Sequence, residues 1–325
     1  MRSPLIPKLL LLLSLVGCQL AAFPQVAKIT GVAKNLPAGK IFLIHPGYDF
    51  MLDNVSVGYQ ETIPNKKGAF SISVHRLTEP QIMKANFVDS SGKSVGYNLF
   101  LSPGDQLEIK YDKNSPENKF IVTGKGSKNN QPLDIYGNDD SIYHFFGDTL
   151  PGRIINYLES LNTIHKKTLL TYIQQQQPSP EFIAAWNTNL QYEVVDAYFH
   201  FASDIAPRIR EAYRRNYDKW NDLRTALFDE APLLNEEALR SPNYRNLLDF
   251  YLLRTKESLW TEAEDHRSDF LLKWYGKDTA RGAESFADDK SNDLQQRIIE
   301  KQFSGKVKEY LYAVLIQGSI AGTRR

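Results

Sequence analysis

"AFSISVH", residues 69–75, decides how the first third of the chain folds. Phe70, Ile72 and Val74 alternate with Ser71 and Ser73. A helix would scatter such a pattern around its axis. An extended strand collects the apolar side chains on one face and the serines on the other. The same texture runs outward from this stretch. Before it come "KITGV" (28–32), "KIFLI" (40–44) and "NVSVGYQE" (54–61); after it come "MKANFV" (83–88), "YNLFL" (97–101), "QLEIKY" (106–111) and "KFIVTG" (119–124). Turn chemistry separates the runs: "NKKG" (65–68) and "SSGK" (90–93) each supply a glycine, and "SPGD" (102–105) places Pro103 and Gly104 where a type II turn needs them. About eight short strands at this spacing predict an antiparallel β-sandwich.

From about Asn130 glycine thins out and the period changes. Phe182, Trp186, Leu190, Val194, Tyr198 and Phe201 recur every three or four residues, which predicts one apolar helix face. Tyr244, Leu247, Leu248, Tyr251, Leu252 and Leu259 make a second such stripe; Ile154, Leu158, Leu161 and Ile164 make a third. Ser179-Pro180 and Ser241-Pro242 read as helix starts, serine capping free amides and proline fitting the first helical position. Further helices are expected near 218–229, 288–303 and 307–320. The expected fold class is α+β: a signal segment over 1–17, an antiparallel β-sandwich over 18–128 and an all-α domain over 129–325. At the end of the chain "VKEYLYAVLIQGSIAG" carries Val307, Leu311, Val314, Leu315 and Gly318 at helical spacing, a stripe that needs cover.

The single cysteine, Cys18, follows a basic start (Arg2, Lys8) and an apolar run from Leu9 to Val16 broken by Ser14. That is the layout of a secretory signal, and the run is shorter than the about 20 residues a membrane span requires. Leu15-Val16-Gly17-Cys18 resembles the bacterial lipobox, in which the cysteine is acylated and becomes the first residue of the exported chain. The resemblance implies a protein on the periplasmic side of a bacterial membrane, anchored by lipid on Cys18. A discarded ordinary signal peptide is the other reading. Either way the rest of the chain has no thiol, which excludes disulfides, Cys-x-x-Cys redox chemistry and thiolate metal sites there. Hydrophobic residues are 42% and charged residues 24%, ordinary for a globular chain. Removing 1–17 leaves 37 basic against 38 acidic residues, a balance with no general attraction for nucleic acid.

"YNLFLSPGDQLEIKYD" (97–112) followed by "FIVTGKGSKNNQPL" (120–133) resembles the N-terminal region of exported TlpA-like thiol–disulfide oxidoreductases of Gram-negative envelopes. In that family a lipoprotein signal, a β-sandwich and a helical region precede a thioredoxin-like domain with Cys-x-x-Cys. The resemblance runs over most of residues 18–320. This sequence ends at "GSIAGTRR" without those cysteines, so the family's activity does not transfer and no residue matches its active site.

Other chemistry is weak in the text. "GKGSKNN" (124–130) lacks the spacing of a phosphate or dinucleotide loop and reads as turns; Gly92-Lys93-Ser94 is preceded by Phe87 where a phosphate loop has glycine. The histidines, at 45, 75, 144, 165, 200 and 266, are never three or four apart, so no helix offers a metal a pair of them. His165 and His200 stand beside apolar residues and read as packed or surface histidines. Asp139-Asp140 and Asp288-Asp289 are adjacent acids whose side chains point apart, unlike a catalytic pair. No Gly-x-Ser-x-Gly elbow exists. In "RIREAYRRNYDKW" (208–220) the arginines are expected on a solvated face with Tyr213, Tyr217 and Trp220 turned to a core.

These readings assign no catalytic, cofactor-binding or metal-binding residue, and predict no cofactor and no nucleic-acid partner. The expected function is a non-enzymatic envelope lipoprotein with an interaction or scaffolding role, its partner a protein or a glycan. Two alternatives stand: a truncated oxidoreductase whose thioredoxin-like domain is missing, leaving the last apolar stripe partly bare, and a glycan- or peptide-binding protein using a groove among the aromatic-rich helices.

Overall fold

Strand β1 (Ala27–Lys34) lies between β4 (Ala69–Val74) and β7 (Gln106–Asp112), with β8 (Phe120–Lys125) beyond β7. A second four-stranded sheet has the order β3 (Gln60–Thr62), β2 (Lys40–Ile44), β5 (Gln81–Val88), β6 (Ser94–Leu101). The computed structural model describes residues 26–36, 39–44, 60–75, 77, 79–115, 119–133, 135, 140–265, 267–275 and 291–322. The signal segment, Cys18, His45, Asp139, His266 and Asp288-Asp289 lie outside the described residues, as does most of "NVSVGYQE".

The alternation is realised as written. In β7 Leu107, Ile109 and Tyr111 are buried while Gln106, Glu108 and Lys110 are exposed. Phe87 of the second sheet lies 4.6 Å from the Tyr111 ring and 5.2 Å from the Phe120 ring of the first, so inward-facing residues of both sheets join one apolar cluster. The expectation of wholly antiparallel strands is corrected by the first sheet. There β1 pairs antiparallel with β4, Ile29 opposite Ile72, but parallel with β7, Ile29 opposite Leu107. Between β1 and β7 the chain passes to the other sheet for β2 and β3, returns for β4, and passes over again for β5 and β6. A crossover of that kind is what a parallel pair requires.

Helices follow: α1 (Gly152–Gln176), α2 (Pro180–Gln191), α3 (Glu193–Ile205), α4 (Arg210–Arg215), α5 (Tyr217–Glu230), α6 (Pro242–Asp265), α7 (Arg267–Tyr275), α8 (Ser291–Gln302) and α9 (Gly305–Gly322). Among the described residues no helix is long and apolar enough to cross a membrane. Both Ser-Pro starts behave as caps: Ser179 Oγ accepts from Phe182 N and Ser241 Oγ from Tyr244 N, each at 3.3 Å. The stripe on α9 is covered at Val307 and Leu311, both buried in the main helical cluster, while Ile316 is exposed. Trp220 is buried, Tyr213 is half-buried 5.8 Å from it, and Tyr217 remains exposed, so two of the three aromatics in "RIREAYRRNYDKW" turn inward.

Sheet and helices meet through a third apolar cluster. Ile82 and Phe100, paired across β5 and β6, pack against Leu169 and Tyr172 of α1 and Phe182, Trp186 and Leu190 of α2. The "GKGSKNN" segment is the joint. Gly124 and Gly126 both adopt φ +95°, and a Cβ on Gly126 would meet the Asp105 carboxyl at 2.5 Å, so the turn reading holds there for a steric reason. Asn130 supplies edge strand β6 with what a neighbouring strand would: Phe100 N donates to Asn130 Oδ1 and Asn130 Nδ2 donates to Phe100 O, each at 2.8 Å.

Candidate functional site

Two predicted stripes come apart in the structure, and the cleft lies where they do. On α1 the buried residues are Ile154, Ile155, Leu158, Asn162, His165, Leu169 and Tyr172. The expected stripe begins correctly at Ile154 and Leu158, then leaves the core: Leu161 is half-buried and Ile164 is 59% exposed. Polar Asn162 and His165 occupy the inward positions instead. The Phe182-to-Phe201 stripe is likewise divided. Tyr192, at φ −99° and ψ 0°, separates α2 from α3. Its ring is fully buried 4.8 Å from Tyr244, and its hydroxyl donates to Pro232 O and accepts from Asn235 Nδ2, both at 3.0 Å. Above this clamp Phe182, Trp186 and Leu190 face the junction cluster; below it Tyr198 and Phe201 face the helical core.

Inward-facing Asn162 and His165 serve that break. Asn162 Nδ2 donates to Leu190 O (2.8 Å), one of the carbonyls α2 leaves free at its end, and to Glu193 Oε2 (2.7 Å). His165 Nδ1 donates to Glu193 Oε1 at 2.6 Å, since an ionised carboxylate offers only acceptors. Glu193 opens α3, where the helix dipole favours a negative charge. On the other side Asn189 Oδ1 accepts from Ser241 Oγ at 2.8 Å and Asn189 O accepts from Asn243 Nδ2 at 2.9 Å, tying α2 to the start of α6.

The result is a half-open cavity of about 530 Å³, lined mainly by side chains of α1 and α3. Ile135, Ile142, Tyr157, Leu158, Leu161, Ile164, Val194 and Ala197 give apolar lining; His165, Glu193, Asp196, His200 and Asn243 give polar points. Asp196 differs from the others. It is 8% exposed, yet its Oδ1 accepts no hydrogen bond among the described residues; His200 Nε2 lies 3.5 Å away. Asn246 Nδ2 reaches Oδ2 only at 3.4 Å. Burial, with a smaller push from Glu193 and a partial offset by Asn246, raises the Asp196 carboxyl to about 8.

Some expectations are met here and others are not. His165 is packed and His200 is exposed, where the sequence leaves either open for both, and both line the same cleft. The groove expected among aromatic helices is walled mainly by aliphatic side chains, Tyr157 being the one aromatic in its lining; Phe182, Trp186, Tyr198, Phe201 and Tyr244 are consumed by the apolar clusters. Among the described residues no group of three His, Cys, Asp or Glu side chains is placed to hold a metal ion. The sequence reading passed over Asn162, Glu193 and Asp196. Their signal was polar residues at helical core spacing, 158-162-165-169 on α1 and 193-196-200 on α3. No known protein family, curated protein or solved structure matches this chain.

Proposed function

We propose that this chain is a lipid-anchored protein of the bacterial cell envelope, built like the non-catalytic part of a TlpA-like protein, that binds a ligand in the cleft between α1 and α3. In this reading the two sheets form a sandwich over residues 18–128, a view supported by the single apolar cluster their inner faces share. The helical region over 129–325 carries the binding function, and Cys18 carries the lipid that keeps the protein at the periplasmic side of its membrane.

One observation carries the binding role: Asp196, a buried carboxylate with an oxygen that accepts no hydrogen bond, is among the residues lining an apolar-walled cavity. An unpaired buried polar atom costs about 1–3 kcal/mol, a cost that folding alone does not recover. Apolar walls with a few convergent polar groups are the usual make-up of a small-molecule site. Ala197→Trp fills the cavity from α3 and tests this. The wild-type chain from residue 19 is expected to bind one equivalent of a dye that fluoresces in apolar clefts, and the folded variant is expected to bind none. Equal dye binding by both proteins would remove the cleft from consideration. The anchor is tested separately, by Cys18→Ala, which should move the protein from the membrane fraction to the soluble one.

A further inference from the structure

The chemistry of the cleft also selects among ligands. We infer that the site takes a small cationic amphiphile: a primary amine whose ammonium group donates to Asp196 Oδ1 while its apolar body lies against Leu161, Ile164 and Val194. The inference rests on the binding role proposed above and adds the ligand class.

The polar points of the cleft are unequal. Both Glu193 oxygens already accept short hydrogen bonds, from Asn162 and His165, so Glu193 has little left to offer. Asn243 spends its amide on Asn189 O. Asp196 Oδ1 is the buried atom with an acceptor position to fill, and what it lacks is a donor. Around Asp196 stand Glu193 and His200 on its own helix, His165 on α1, and the uncharged Asn243 and Asn246 on α6. Glu193, joined by Asp196 once it ionises, disfavours a ligand carboxylate or phosphate in a low-dielectric recess and favours a cation. A neutral hydroxyl could donate to Oδ1 too, but a charge-assisted hydrogen bond is about twice as strong as a neutral one. Leu161, half-buried, and Ile164, exposed, line the cleft and give an alkyl or aryl body an apolar surface to cover.

A proton should accompany this ligand. The ammonium pairs with an ionised Asp196, and burial holds that carboxyl at about 8 in the free protein. Below that pH each binding event expels the Asp196 proton, so affinity should climb by about tenfold per pH unit between pH 6 and 8 and then level off. It should fall again only where the amine itself loses its charge, near ~10.

Three probes with one tail and different heads, octylamine, octanol and octanoate, distinguish the ligand class from the cleft itself. Calorimetry on residues 19–325 at pH 8 should show octylamine binding at least about tenfold tighter than octanol, with octanoate weakest. Asp196→Asn should erase the amine's advantage and its pH dependence while octanol binding stays. Ala197→Trp should abolish all three. Octanol or octanoate binding as tightly as octylamine would overturn the ligand class and leave the cleft as a site. Failure of all three to bind the wild type would overturn both. Octylamine binding that survives Asp196→Asn undiminished would place the ammonium elsewhere and overturn the assignment.

Discussion

Asp89 in the sheet region and Asp196 in the helical region are equally buried, each 8% exposed, and they are opposites. Asp89 closes the turn between β5 and β6. It accepts from Ser91 N (2.9 Å), Ser91 Oγ (2.6 Å), Lys93 N (3.0 Å) and Lys113 Nζ (2.6 Å). Lys113 first, then Ser91, holds its carboxyl well below the usual range. Asp196 has one long bond, its other oxygen accepts no hydrogen bond and has His200 Nε2 at 3.5 Å, and its carboxyl rises to about 8. Asp105 stands between them: 5% exposed, raised by burial, accepting from Ser102 N at 2.8 Å. It is packed under Gly126, with no room for a side chain there, let alone a ligand. Burial alone therefore does not mark a site. A missing partner together with open space does, and of these three carboxylates that combination is found at Asp196.

The largest expected effect strikes the contact between the two regions. Trp186 is 3% exposed in the cluster that seats α2 on Ile82 and Phe100. Trp186→Ala should cost about 3–5 kcal/mol in chemical denaturation. An unchanged midpoint would mean that the helices do not depend on the sheet for their packing.

Asp196→Asn should do the reverse of most core substitutions. The folded-state value of Asp196 lies above its unfolded value, so the folded protein holds that proton more tightly. Stability is then highest below pH ~4 and is lost as the pH climbs toward 8. Asparagine copies the protonated form. The variant should be more stable than wild type at pH 8.5, on the order of 1–3 kcal/mol, and nearly equal to it at pH 4. Asp249, raised to about 7 by burial against the pull of Arg245, should leave a smaller residual pH dependence in the variant. Thermal melts of both proteins across pH 4–9 check this.

Asp89→Asn sharpens the contrast from the other side. The folded-state value of Asp89 lies below its unfolded value, so its contribution is full above about pH 4 and disappears on acidification. The variant should be less stable than wild type at pH 7, with the gap narrowing steadily below about pH 4 and closing only once the pH falls through the depressed folded-state value. A gap that persists unchanged in acid would mean that the Lys113 pairing contributes nothing.

These opposite environments also explain what could be read from the sequence. Strand texture was legible because "AFSISVH" and "QLEIKY" each have one wet face and one dry one, and the dry faces meet partners of their own kind. The parallel β1–β7 pair was not, because alternation specifies a face and not a neighbour. The helices were legible from Ser179-Pro180 and Ser241-Pro242, whose caps act within three residues. The cleft was hidden because its making is non-local. Leu161 and Ile164 look like core, and Asn162 and His165 look like surface, until the break at Tyr192 presents Leu190 O and Glu193 to α1 and exchanges their places. An apolar stripe in the sequence marks an interface; whether protein or ligand fills it depends on contacts far away along the chain.

The most direct test of Asp196 as the functional carboxylate is a carbon NMR titration of the side-chain carboxyls, with and without octylamine. Asp89 should show no inflection in the ordinary carboxylate range. Asp196 should titrate near pH 8 in the free protein, and saturating octylamine should push that inflection down as the ammonium pairs with the ionised group. An Asp196 resonance that titrates near 4, or one that octylamine leaves in place while the amine binds, would contradict the account.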